Sequence, residues 1–569
     1  MSNTPSYQQL PNEPIFVQLL GIAQKVQHTI VYDANKNVDT GYAQLLADLL
    51  QTRRRLQESL ADTLLDSTLM IKDTAPYMFL LPDGTYDFLV GAYSILSVGG
   101  AFIPLSSSTL PDEALWLFRK CQSFTIVASR INLPKLDSLR QHALSNGHDL
   151  TIIIIQDFTP PLPEISAPSI AISPTLQVPA QSPGMLLFTS GTSGPPKGVV
   201  HKRTFFYQIH ARSEPSDVIL HSQHYMWIGG IRSLFRSSLS GARLEVTRND
   251  PEVLWERVRQ GDVTHVGGNP PLWQKMMVYY KQNLENLSSN EIKPYLTGVR
   301  KLRLAHVAGA MAHRSLLQFW RDLGRPLTVF YGITETAGRL TFGLADDRML
   351  EGSIGRPLPN VILRLSKGDH GEIEAKLDDM FAGYIGDEAA TAAAMTDDGF
   401  YRTGDAARCI DGEYVLEGRE SSDFMKFRGH KISILEIEMS LLELPFVLEG
   451  CIVAAPYPNY GSVVAAVVRV APSTGGDESK TSIKLSLGEL RDSLAATLPT
   501  YMLPMALRVL QDGEELPRTM SDKVIKRDVV ARYFKVAETL KFADKDVELW
   551  TFDDHERVGS AKAWDWAAL

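Results

Sequence analysis

From about residue 30 to residue 380, short apolar runs alternate with stretches of helical periodicity, and this alternation restricts the fold more than any other feature. Runs such as "TIIIIQDF" at Thr151, "GARLEVT" at Gly241 and "VRKLRLAHVAGA" at Val299 have the length of single strands. Amphipathic helical segments separate them. The pattern predicts α/β layers, because strands and helices in alternation bury their apolar surfaces against each other. A chain of 569 residues is too long for one compact core. At roughly 150 residues per domain, three or four structural units are expected.

Near Asp378 the texture changes to turn-rich β. In "DDGFYRTGDAARCIDGEYVLEGRE" the Asp-Gly pairs at Asp398 and Asp411 sit between aromatic and β-branched residues, which predicts hairpins. A new run begins around Ser421: Ile434, Ile437, Leu441 and Leu442 fall at helical spacing, followed by strand-like "GCIVAAPYP" and "SVVAAVVRV". The expected organisation is a first domain over 1–420, a second over 421–534 and an extension over 535–569. That extension carries Trp550, Trp564 and Trp566 among mixed charges and reads as a helical addition to the second domain or as an interaction tail. The proline-rich stretch from Ala167 to Gly184 reads as an extended connector, and "APSTGGDESKTS" at Ala471 as an exposed loop.

Charge and cysteine content narrow the function classes. A net charge of -9 provides no electrostatic footprint for nucleic acid or for an anionic membrane. Three scattered cysteines, Cys121, Cys409 and Cys451, form neither a disulfide framework nor a zinc cluster, which points to a reducing compartment. The polar N-terminus lacks a signal-peptide pattern, and the apolar region Met78 to Leu105 is interrupted by Asp83, Asp87 and glycines, so no membrane span is expected. The cytoplasm is the expected location. "WAAL" lacks the peroxisomal tripeptide, although import by another route stays open.

The stretch "LLFTSGTSGPPKGVV", Leu186 to Val200, places small hydroxyls and glycines beside one cation, Lys197. Such a loop wraps polyanionic oxygens, since bare backbone N–H groups approach closely while hydroxyls and an ammonium add donors and charge. It is not a Walker loop: Pro196 stands where the second glycine belongs, and Gly198 follows Lys197 in place of a hydroxyl residue. Taken alone, it also reads as a surface turn. Glu335 in "TVFYGITETAGRL" is a candidate magnesium carboxylate, or a cap. Asp405 in "YRTGDAA" is a candidate for neighbouring ribose hydroxyls, or an Asx-turn residue. "LEGRESSDFMKFRGHKISILEIE" marks the boundary, and Lys523 stands on a polar turn in "LPRTMSDKVIKRDV" near the end of the fold.

In this order the five stretches resemble the acyl-adenylate-forming superfamily of acyl-CoA synthetases, peptide-synthetase adenylation domains and firefly-type luciferases. The resemblance spans roughly residues 30 to 534 and includes "LSVGGAFIPLSSSTLPDE", "VAGAMAHRSLL", "EGSIGRPLPNV" and "LPTYMLPMALRVL". It implies an α/β fold: a large N-terminal domain of stacked α/β layers with a β-rich subdomain, plus a small α+β C-terminal lid. It also implies an ATP-dependent ligase that activates a small to medium organic acid, in specialised metabolism, and passes it to coenzyme A. A separate carrier protein or an amine is the alternative acceptor, and a nucleotide-binding regulator the non-enzymatic rival.

By resemblance, Thr189, Ser190, Gly191, Thr192, Ser193 and Gly194 hold the β- and γ-phosphates, with Lys197 nearby. Thr334 and Glu335 meet the α-phosphate and Mg2+, and Tyr331, beside Gly332, stacks on adenine in a slot lined by Gly309, Ala310 and Met311. Asp405 takes the ribose, Arg419 the ribose or phosphate, and Lys523 bridges acid and nucleotide. After rotation of the lid about Ser422 or Asp423, Gly429 borders a pantetheine tunnel, with Lys426 and Lys431 as candidates for coenzyme A phosphates.

The chain departs from the family pattern in three places. One extra residue lies between Arg419 and Gly429, which leaves two candidates for the hinge. Asp522 replaces a common glycine before Lys523. In "HYMWIGGIRSLF" Met226 or Trp227 replaces a pocket histidine, so Trp227 and the paired glycines are expected to form the pocket floor. Arg232 and Arg339 read as structural or exposed arginines, with recognition of a second substrate carboxylate as the alternative. His224 and His306 read as packing residues, because this chemistry requires no general base.

Overall fold

The computed structural model describes residues 8–550 except 75, 156–169, 190–195, 208, 210–212, 420–422, 428–429, 459–460, 472–484, 520–521 and 538–540. The apolar runs form two large sheets. One has seven strands and centres on parallel Tyr77–Leu81, Ala101–Pro104, Thr125–Ala128 and Thr151–Ile154. The hairpin of Pro183–Thr189 and Lys197–Lys202 extends it, with Gly383–Tyr384 at its edge. The other has thirteen strands. Its parallel half includes Arg243–Val246, Val218–His221, His265–Gly268, Leu304–Ala308 and Thr328–Tyr331.

Beyond Thr328–Tyr331 this sheet turns antiparallel through Thr341–Leu344, Ser353–Pro357, Glu413–Arg419, Tyr401–Ile410, His370–Lys376 and Ile362–Leu365. The β-rich part therefore starts at Thr341 and not at Asp378. Its first strands are short and joined by turns, so they carry neither helical period nor long alternation. The Asp411-Gly412 turn closes a two-residue hairpin with both φ angles positive, 51° and 79°, as the Asp-Gly pair predicts.

Helix Thr85–Ser97 is buried on nearly every face, including Phe88, Tyr93 and Leu96, because it lies in the core shared by the layers. Phe102, Phe206 and Phe235 join it there. Arg203 fastens the N-terminal segment to this core. Both residues of the Arg203–Glu13 pair are buried, and the guanidinium meets the two carboxylate oxygens at 2.8 and 2.7 Å. It also donates to the carbonyls of Gly100 and Leu96.

The residues after 423 form a separate core around the strands Val447–Tyr457, Gly461–Val470 and Ala506–Val509. Helix Ile434–Leu442 packs there through Ile434, Ile437 and Leu441, matching the helical spacing of the sequence. Val547–Leu549 pairs antiparallel with Ala506–Val509 and supplies an edge strand, so residues up to Trp550 extend the sheet where a helix or a tail was expected. Trp564 and Trp566 and the loop at Ala471 lie largely or wholly outside the described residues. The cysteines are unpaired thiols, and no helix among the described residues is long and apolar enough to cross a membrane.

Candidate active site

Two parallel strands end at the same cleft. Leu304–Ala308 runs into Gly309, Ala310 and Met311, the first two exposed and the third half-buried; Thr328–Tyr331 runs into Gly332 and the short turn Thr334–Thr336. Crevices at the carboxyl ends of parallel strands are the usual ligand sites of such sheets. The turn folds back sharply: a Cβ on Gly332 would lie 2.5 Å from the Gly338 carbonyl and the Arg339 nitrogen, so only glycine fits.

Strand pairing brings Asp405 opposite Arg419. Asp405 is buried; it accepts from Arg419 Nε at 2.9 Å and from the Tyr331 hydroxyl at 2.7 Å. Burial and the Asp405 carboxylate hold the Tyr331 phenol well above its ordinary pKa, so it stays a donor. Tyr331 thus joins the Gly309–Met311 edge to the carboxylate, and its ring packs in a small cluster with Met311.

A second chain of contacts reaches Glu335. The Tyr384 hydroxyl donates to Glu335 Oε1 at 2.8 Å and lies 3.2 Å from the Tyr401 hydroxyl. The Lys197 ammonium sits over the Tyr384 ring, 4.8 Å from its centre. Thr189 faces Lys197 directly across the hairpin, its hydroxyl 3.3 Å from the Lys197 carbonyl. The stem of the hydroxyl-rich loop is therefore tied to Glu335 through one phenol. Ser190, Gly191, Thr192, Ser193 and Gly194 lie outside the described residues, as do Ser422 and Gly429.

Lys523 is contributed by the C-terminal domain. Its side chain is exposed by surface area, yet protein lies close around it. Burial within the cleft lowers its pKa below the ordinary lysine value, Arg419 adds to the effect, and Asp405 and Glu335 oppose it. The turn that presents it is tight: the Thr519 backbone nitrogen donates to the Lys523 carbonyl and that of Asp522 to the Thr519 carbonyl. Asp522 has φ of 61°, the left-handed conformation that the replaced glycine would adopt freely. Asp522→Val is expected to destabilise this domain by about 1–2 kcal/mol, measured by its unfolding in denaturant, because a β-branched residue is strained there. The boundary is anchored by Asp423, which accepts from the Arg419 backbone nitrogen and from Lys526 Nζ at 3.3 Å.

Beneath the turn at Gly332 lies a cavity lined by His221, Gly229, Arg232, Arg236, His306 and Arg339 among others. Gly229 belongs to its wall, and Trp227, which immediately precedes helix Ile228–Ser240, does not line it. Arg232 and Arg339 line the cavity and are not simply exposed. Arg236, one turn after Arg232, escaped the sequence reading altogether. Spacing of four residues on a helix with no other charge was the available signal. Tyr384 was also missed, and no local pattern marks it; Tyr401 opens the quoted "YRTGDAA" but was given no role.

The large sheet domain, its cleft and the small lysine-bearing domain together define a two-domain acyl-adenylate-forming protein. The model of the AMP-binding enzyme family matches residues 58–385 and that of the AMP-binding enzyme C-terminal domain residues 436–523; the chain belongs to this family. It is 32% identical over 552 residues to the acyl-CoA ligase oryP of Aspergillus oryzae, across 95% of this chain and 96% of that one. A malonate–CoA ligase of Arabidopsis thaliana is 30% identical over 377 residues, across 61% of this chain and 60% of that one. The solved structure of ATP-bound MatB from Rhodopseudomonas palustris shares the fold, with a TM-score of 0.70 at 20% identity over 91% of this chain and 98% of that one.

Proposed function

We propose that this chain activates an organic carboxylic acid with ATP and passes the acyl group to the thiol of coenzyme A. It is an ATP-dependent, AMP-forming acid–CoA ligase, a reading supported by family membership and by the ligase names of its relatives. The observation that carries the residue-level reading is the position of Lys523, a cation of the small domain within electrostatic reach of Asp405, Arg419 and Glu335.

The first half-reaction joins two anions, and a carboxylate is already a nucleophile. What the site must supply is charge neutralisation and alignment, not a base. Lys523 stabilises charge on the acid and nucleotide oxygens. Thr189 and Lys197 begin and end the loop whose residues 190–194 receive the terminal phosphates. Thr334 and Glu335 serve the α-phosphate side. Gly309, Ala310 and Met311 form the base slot with Tyr331 and Gly332, and Asp405 and Arg419 receive the ribose. Magnesium fits the donor set: one carboxylate, Glu335, oriented by Tyr384, suits an ion that keeps waters and takes phosphate oxygens, and when bound it neutralises phosphate charge.

The second half-reaction requires Lys523 to withdraw. Rotation of the small domain about Ser422 or Asp423 brings Gly429 to the thiol channel. The unpaired thiols suit a reducing compartment, and the cytosol is the location we assign.

A screen of acids for pyrophosphate release, with coenzyme A or a phosphopantetheinylated carrier protein as acceptor, tests this function. Acid-dependent release with thioester formation on coenzyme A is expected; transfer to the carrier alone would replace the acceptor, and no acid-dependent release would reject the ligase. Asp405→Ala should raise the KM for ATP by about tenfold to a hundredfold, the worth of hydrogen bonds to a charged group. An unchanged KM would remove its ribose role.

A further inference from the structure

The cavity beneath Gly332 is unusual in its charge. Helix Ile228–Ser240 directs Arg232 and Arg236 to it, one turn apart, and Arg339 lines it from the turn that carries Glu335. Arg236 is only 7% exposed, its Nε lacks a hydrogen-bond partner, and it makes no ion pair among the described residues. A buried guanidinium left unbonded costs several kcal/mol, so its retention points to a ligand that completes it.

The surrounding charges do not balance it. Asp217 lies within electrostatic range of Arg236 but is bonded to Arg303 at 2.7 Å and faces His265 at 3.6 Å. Asp379 acts on Arg232 at longer range. Arg339 lies over the Phe330 ring at 4.4 Å. The histidines add no positive charge at neutral pH: burial pushes His221 and His265 down to about 4 and holds His306 well below its ordinary value. They stand instead as neutral hydrogen-bonding groups, with His221 Nε2 and His306 Nδ1 unpartnered. Gly267 makes room for this lining, since a Cβ there would lie 2.0 Å from the His306 ring.

The cavity also lies beside the proposed reaction centre. Its walls include Ala308, Phe330 and Gly338, which adjoin the Gly309 edge, Tyr331 and the Glu335 turn. Arg232 donates to the Ala337 carbonyl at 3.1 Å and so positions that turn as well as facing the cavity. Arg236 has no such second duty, which makes it the residue to vary.

We propose that the acid ligated by this chain carries a second carboxylate, which enters this cavity and is received by Arg236, with Arg232 beside it. The inference rests on the ligase reading and names its substrate class. A guanidinium pairs with a carboxylate through two parallel hydrogen bonds, a geometry that a neutral ester or a methyl group does not satisfy.

The test compares matched acids of about three to six carbons: monocarboxylates, the corresponding dicarboxylates, and the monomethyl esters of the latter. Acid-dependent pyrophosphate release is read alongside the thermal shift each acid causes. Wild type should favour a dicarboxylate over its monomethyl ester by about a hundredfold or more in kcat/KM, because an unpaired buried cation penalises the analogue. Only the dicarboxylate should raise the melting temperature. Arg236→Met, close in volume, should abolish most of that preference and the thermal shift while retaining turnover of monocarboxylates. Equal use of mono- and dicarboxylates by wild type would overturn the second-carboxylate site and leave the ligase intact. Retention of the preference by Arg236→Met would overturn that site equally. Absence of acid-dependent release across the whole panel would instead count against the ligase reading. The wild-type comparison decides the matter even if the variant fails to fold.

Discussion

Lys523→Ala is expected to lose acid-dependent pyrophosphate release by about two orders of magnitude or more, while still converting supplied acyl-adenylate to thioester. Removing one preorganised cation from a desolvated site costs about 3 kcal/mol or more in the barrier it serves. The charge at stake is local: Lys523 belongs to the small domain, and Asp405, Arg419 and Glu335 belong to the large one, so the cation acts only while the two domains face each other across this cleft. In the proposed mechanism the thiol step needs the opposite arrangement and gains nothing from it. Equal loss of both half-reactions in a folded variant would contradict the two-position mechanism. A pH profile adds an independent check. Because the lysine pKa lies below its ordinary value and the charged form is the useful one, kcat/KM for adenylation should fall as pH rises through that lowered value, earlier than for an unperturbed lysine.

Arg203→Met should destabilise the large domain by about 3–5 kcal/mol, the usual result of leaving one member of a buried ion pair alone. Glu13 is 1% exposed and would keep a carboxylate with no cation, and the carbonyls of Gly100 and Leu96 would lose their donors. The shift in the denaturant midpoint is the measurement. The double variant Glu13→Leu with Arg203→Met should recover much of the loss, since replacing a buried pair by apolar groups is often neutral. A double variant as unstable as the single would show that the carbonyl contacts, not the uncompensated charge, dominate.

Local pattern explains what was legible in advance. Helix Ile434–Leu442 appears where apolar spacing places it, and the Asp411-Gly412 hairpin closes where its turn chemistry requires. The order of short motifs also led to the family, because each is a contiguous stretch whose loop and turn chemistry survives without knowledge of the fold.

What the sequence determined by itself is therefore the layered α/β class, the two domains and the family, since strand and helix periods and turn residues act over a few neighbours along the chain. The tertiary structure alone decided the lining of the cavity and the links between motifs. Arg232 and Arg236 resemble ordinary surface charges until strands distant along the chain are brought over helix Ile228–Ser240. Tyr384 acquires meaning only when Gly383–Tyr384 pairs with Lys197–Lys202 and its hydroxyl meets Glu335. Burial and electrostatic pairing depend on which distant surfaces meet in space, and no local periodicity encodes that.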